Sequence, residues 1–231
     1  MMEKTILFTF FISLFAYDSP YSLDKFHQIL DISKLQAPTS HYNPKYSVKY
    51  GEFKNYANKF FYLKDNKYMV FFMCGKKNRS ELRLHQDFKV NTKKAFSLNV
   101  KVKIFPISAK EFTFLQIHTE TKNSINKPLL RIAWRKNYHH LKNHIWAIIR
   151  KSAKINKQKY QKVDLGKISN RFFDVNIKVK NNKLFLNFDN KKYVFDVSYW
   201  KYNNYFKAGV YLQTNGCAKV YFDKINSHPI D

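Results

Sequence analysis

The chain has 231 residues, 45% apolar and 18% aromatic, which is enough for one domain with a sizeable core. Five glycines and six prolines argue against low-complexity linkers, and no internal repeat is present. The net charge of +26 invites a polyanionic partner, but 36 of the 42 basic residues are scattered lysines without a zinc-finger or RNA-binding signature, which argues against nucleic acid.

The N-terminus reads MMEKTILFTFFISLFAYDSPYS. Lys4 precedes an apolar run over residues 5–16, the length of a signal-peptide core and too short to span a bilayer. Residues 1–16 are therefore expected to be a signal peptide, with the cleavage point open because Leu14 is a poor −3 residue. The other reading is a hydrophobic first strand. Export implies a secreted or periplasmic protein without stable membrane insertion, and residues 17–231 then form one domain. Cys74 and Cys217 suggest a disulfide in such a protein, two buried free thiols being the alternative; neither has metal-ligand spacing.

Residues 26–35 read as a short helix or 3₁₀ turn. Strand patterns follow at 68–73, 79–83, 96–105, 112–120, 129–134, 144–149, 172–179, 183–188, 192–197, 205–213 and 218–222. Polar turns such as VKNNKLF and FDNKKYVF between them read as hairpins. Many short strands with turn signals predict an all-β sandwich or barrel. His139, His140 and His144 in NYHHLKNH read as part of a turn, and no metal site is expected.

Three segments put apolar residues on one face and hydrogen-bonding or cationic residues on the other, because strand side chains alternate. In RSELR (79–83), Arg79, Glu81 and Arg83 share a face, and Glu81 is placed to hold both arginines. In FTFLQIHTE (112–120), Phe112, Phe114, Gln116, His118 and Glu120 alternate with Thr113, Leu115, Ile117 and Thr119. In YFKAGVYLQ (205–213), Tyr205, Lys207, Gly209, Tyr211 and Gln213 oppose Phe206, Ala208, Val210 and Leu212. Gly209 marks either a close approach of ligand to backbone or a bulge. One sheet carrying all three faces would suit a carboxylated polymer rich in hydroxyls.

RSELR, QIH and YFKAGVYLQ, in this order, resemble the three signature segments of the alginate lyases of polysaccharide lyase family 7, and the likeness extends loosely over residues 29–222, including FDVSYW. The resemblance implies a β-jelly roll of two antiparallel sheets with a concave substrate groove, cleavage of alginate by β-elimination, endo action, unsaturated oligouronate products, and no cofactor or metal. It implies carboxylate neutralisation by Arg79 and Gln116, proton abstraction by His118, and acid or acid–base work by Tyr211. Arg83, Lys207, Gln213 and Tyr205 would bind neighbouring sugars, with Glu81 as support. A monomer acting on acidic polysaccharide is expected. The family often continues RSELR with Glu where this chain has Leu84, which predicts a packing difference. Ile117 within QIH tends in the family to accompany action on guluronate linkages, an indirect influence since it points backwards. The rival readings are a non-catalytic module binding acidic polysaccharide and a lyase acting on another polyuronate such as polyglucuronate. A glycoside hydrolase would need two flanking carboxylates, and the three segments supply only Glu81 and Glu120.

Overall fold

Alternation of apolar and polar residues runs through most of the chain, and each strand it builds must bury its apolar face. The computed structural model describes residues 17–40, 45–120, 125–157 and 159–230; the signal-peptide expectation for 1–16 lies outside the described residues. The fold is the expected all-β sandwich. One sheet contains, side by side, β1 (Ser33–Ser40), β4 (Asn78–Leu84), β13 (Asn204–Leu212), β6 (Glu111–Thr119), β7 (Pro128–Tyr138), β8 (Leu141–Arg150) and β9 (Tyr160–Lys167). The other contains β12 (Lys191–Asp196), β11 (Lys183–Phe188), β10 (Phe173–Lys180), β5 (Ala95–Phe105), β14 (Cys217–Ile230), β3 (Tyr68–Cys74) and β2 (Phe61–Lys64). All pairings between these neighbours are antiparallel. The sequence-distant β13 lies between β4 and β6, and β14 between β5 and β3, giving the crossed connections of a jelly roll.

The core fills the space between the sheets. Phe71 on β3 meets Phe61 and Phe222 at ring-centroid distances of 5.2 and 5.7 Å, and Phe114 on β6 meets Phe173 on β10 at 6.0 Å. Each such buried ring contributes roughly 1.5–3 kcal/mol of transfer free energy. Cys74 and Cys217 are opposite each other in the β3–β14 register and form a disulfide. No helix among the described residues is long and apolar enough to cross a membrane.

Several boundaries differ from the sequence expectation. Only His27–Asp31 of the predicted helical stretch is α-helical, preceded by two 3₁₀ turns, and Ser33 already begins β1. β1, β2 and β9 carry no clear sequence signal, and each is a sheet edge. Edge strands tolerate Pro38 and the exposed lysines of YQKVDLGK, which blur alternation. β14 runs on to Ile230 because a register shift between Phe222 and Lys224 lets Ile225 return to the core. His139 and His140 form the turn of the β7–β8 hairpin, while His144 pairs with Asp164 at 2.8 Å.

Candidate active site

The three polar segments become three adjacent strands, β4, β13 and β6. The register places Arg79 beside Tyr211, Arg83 beside Lys207, Lys207 beside Gln116, and Tyr205 beside His118. Behind them, Leu82, Leu84, Leu115, Ile117, Phe206, Ala208, Val210 and Leu212 are all fully buried in the core, so the cleft face is set by what the core takes.

Strict alternation fails once. Phe112 and Phe114 are in the core, on the same side as Leu115 and Ile117, and not on the face of Gln116 and His118. The β6–β7 register shifts between Thr113 and Leu115, so a bulge there resets which parity faces inward. A matching shift lies between Ala208 and Tyr211 on β13, around Gly209 with φ +140°. A Cβ on Gly209 would stand 2.2 Å from the Ser80 carbonyl oxygen and 3.0 Å from Phe71, so the glycine serves close strand packing rather than ligand approach.

The side chains of Arg79, Arg83, Gln116, His118, Tyr205, Lys207 and Tyr211 line one cleft of about 210 Å³. Gln36, Tyr46, Asn126, Lys127, Pro128 and Arg131 complete it, none of them singled out from the sequence. Arg131 had a recoverable signal: it alternates with the apolar Leu130 and Ile132 on β7 and pairs with Gln116.

Glu81 lies beneath this surface, fully buried, and does not line the cleft. Its Oε1 accepts from Gln116 Nε2 at 2.6 Å and its Oε2 from Lys207 Nζ at 2.5 Å, with Arg79 Nε at 3.9 Å. The expected bridge to both arginines is thus replaced by one to Lys207 and Arg79. The residue facing Glu81 on β13 is Gly209, which has no side chain, so the long side chain of the diagonal neighbour Lys207 reaches across to the carboxylate. Burial pushes the Glu81 pKa up, but Lys207 and Arg79, with the hydrogen bonds, outweigh it and the net shift is downward. Burial pulls Lys207 down to about 8 against the pull of Glu81, with Arg79 adding to the fall. Arg83 instead lies over the Tyr205 ring at 4.1 Å, and Arg79 over the Tyr211 ring at 4.4 Å. Gln213 sits just past the end of β13, outside the cleft lining, with both amide atoms buried and unpartnered.

His118 has a defined tautomer. Its Nδ1 is 2.8 Å from the Thr119 carbonyl oxygen, an acceptor only, so Nδ1 carries the hydrogen and Nε2 keeps its lone pair. The Tyr205 hydroxyl lies 3.3 Å from the same Nδ1. Burial first, then the charge of Lys207, hold the imidazole far below its usual pKa, at about 3, so it is neutral at ordinary pH. Burial raises the Tyr205 phenol well above its usual range, which keeps it protonated. FDVSYW, upstream of β13, pins the strand: Trp200 Nε1 donates to Asn204 Oδ1 at 2.8 Å and the Tyr199 hydroxyl to the Arg150 carbonyl at 2.7 Å.

A jelly roll whose exposed sheet offers cations, an amide, a neutral imidazole and phenols in one cleft is of the polysaccharide lyase class. A family model described as alginate lyase matches residues 30–228. An alginate lyase of Photobacterium sp. (strain ATCC 43367) is 30% identical over 245 residues, covering 89% of this chain and 86% of that one. Among solved structures, alginate lyase AlyC3 matches with TM-score 0.86 at 29% identity, over 94% of this chain and 97% of its own. Alginate lyase A1-II′, a member of polysaccharide lyase family 7, shares the fold with TM-score 0.70 at 18% identity, over 90% and 98% of the two chains. The chain belongs to the alginate lyases of polysaccharide lyase family 7.

Proposed function

We propose that this cleft cleaves alginate within the chain by β-elimination, with the roles of its residues as follows. The C5 hydrogen of a uronate is weakly acidic because the attached carboxylate is already negative. Arg79 and the remaining amide N–H of Gln116 hold that carboxylate and stabilise the charge that develops on it, usually the largest catalytic contribution. For guluronate, where the C5 hydrogen and the leaving oxygen lie on opposite faces, His118 Nε2 takes the proton. The electron pair moves into a C4–C5 double bond, the C4–O bond breaks, and the Tyr211 hydroxyl gives its proton to the departing oxygen. For mannuronate, Tyr211 serves as both base and acid. Arg83, Lys207 and Tyr205 bind flanking sugars, a role the placement of Gln213 outside the cleft does not support for that residue; Glu81 fixes Lys207, Arg79 and Gln116 in place.

The observation that carries this reading is the convergence of Arg79, Gln116, His118 and Tyr211 on one cleft from three neighbouring strands. AlyC3, a structural relative, is known with dimannuronate bound. We further propose that the protein is exported to the periplasm or medium and acts as a monomer; the disulfide supports an oxidising compartment.

The test is to incubate purified protein with alginate, with mannuronate-rich and guluronate-rich fractions, and with polyglucuronate, following ultraviolet absorbance of the unsaturated product. Rising absorbance on alginate supports the reading and reveals the preference. Binding without any rise would make the protein a carbohydrate-binding module instead.

A further inference from the structure

The cleft does not end at the catalytic strands. Glu111, at the start of β6, faces Arg135 across the β6–β7 pair. Its carboxylate accepts from Arg135 Nε at 2.8 Å and meets Arg135 Nη2 at 2.7 Å, with Arg131 Nη1 at 3.6 Å. Two guanidinium groups therefore share one carboxylate, and one positive charge is left over. This repeats the charge count at Glu81, which Lys207 and Arg79 share. In the catalytic centre the surplus is there for a substrate carboxylate; at Glu111 nothing in the mechanism uses it.

Two further features point to a ligand here. Arg135 Nη1 is buried without a partner, as are both amide atoms of Gln213. The Gln213 backbone donates to the Glu111 carbonyl at 3.2 Å, so the amide and the guanidinium belong to the same neighbourhood. Buried polar groups without partners are costly, so this end of the sheet is polar and under-satisfied, and of its residues Arg131 is the one that reaches the cleft, where a uronate carboxylate can meet it. Spacing fits as well. Neighbouring strands lie roughly 4.8 Å apart, close to the length of one 1,4-linked pyranose, so a polyuronate crossing the sheet meets about one strand per sugar. Arg131 is one strand from Gln116 and already lines the cleft.

We infer that Arg131, backed by Arg135 on Glu111, is a second carboxylate-binding station, holding a uronate adjacent to the one at Gln116 and His118 and favouring longer chains. The inference rests on the lyase reading for its substrate and deepens it.

Arg131→Gln and Arg131→Lys are compared with the wild type on alginate trisaccharide, hexasaccharide and polymer, with kcat and KM separated. Calorimetric titration of hexasaccharide gives a readout independent of turnover. The expected result for Arg131→Gln is about a tenfold rise in hexasaccharide KM and Kd, with kcat changed less than about threefold and a smaller effect on trisaccharide. Arg131→Lys, which keeps the charge on Glu111 and guards against a folding failure, falls between. Wild-type Kd in Arg131→Gln, or equal losses at every chain length, overturns the station. A wild type that binds hexasaccharide through Arg131 without turning it over overturns the lyase reading and leaves the station standing.

Discussion

Lys207, in the floor of the cleft, reaches the fully buried Glu81 beneath it at 2.5 Å, and both side chains are almost wholly shielded from solvent. A buried ion pair of this kind is weak evidence for stability, because desolvating two charges offsets most of their attraction. Here it has a local use. Glu81 also takes the Gln116 amide, so one buried carboxylate fixes an amide and two cations that must meet substrate together.

Glu81→Gln should therefore damage fold and function at once. Neutralising one partner leaves Lys207 buried with an uncompensated charge, a loss of about 3–5 kcal/mol. Denaturant unfolding should show the drop, and activity should fall even where the variant remains folded.

The Lys207 ammonium should limit activity on the alkaline side. Its pKa in the fold is about 8, against an ordinary 10.5. Rates measured as kcat/KM should fall above pH 8, and in Lys207→Arg the limb should move upward because a guanidinium stays charged. Stability moves the other way. Between these pKa values the unfolded chain holds the proton and the folded chain does not, so stability contributed by this group rises as pH climbs through the window.

His118→Asn should lower kcat by about 10²–10⁴ on guluronate linkages, the usual worth of a positioned base. The same variant has a stability signature. The folded imidazole titrates at about 3 and the unfolded one at 6.5, so the wild type loses stability as pH falls from 6.5 toward 3. His118→Asn should lose less than the wild type over that acid range, measured by thermal unfolding at stepped pH.

Gly209→Ala should destabilise by more than about 1 kcal/mol, because the φ is unfavourable for alanine and the methyl would strike β4 backbone. Chemical unfolding and kcat should both register it, since Lys207 and Tyr211 flank the bulge.

Breaking the disulfide is the simplest stability test. Cys74 and Cys217 are 143 residues apart, and closing a loop of that length stabilises by up to roughly 5 kcal/mol in the chain-entropy model. Cys74→Ser with Cys217→Ser should lower the denaturant midpoint while leaving KM near the wild-type value.

Most of the sandwich was legible because central strands bury a full face. Residues 96–105 alternate as FSLNVKVKIF and form nearly all of β5. Three of the four edges were not: β1 is largely buried but mixes Pro38 with buried Ser33, Gln36 and Thr39, so it shows no simple alternation, β2 spans only four residues, and β9 buries little behind a run of polar residues. For the cleft, alternation within each strand put Arg79, Gln116, His118 and Tyr211 on the front face together with Arg83, Lys207, Tyr205 and Gln213, and the family resemblance singled out the first four. What alternation could not supply was the neighbour across the strand: Lys207 on Glu81, Arg83 over Tyr205, and Arg131 beside Gln116 all depend on sheet order and register. Nor could it reveal the bulge that sends Phe112 and Phe114 inward.

That bulge has a consequence for how this enzyme can change over time. A single-residue deletion at residues 113–115 would take out the bulge, and then either Phe112 and Phe114 or Gln116 and His118 would have to leave the side they now occupy. Spelling can drift in this stretch; its letter count cannot.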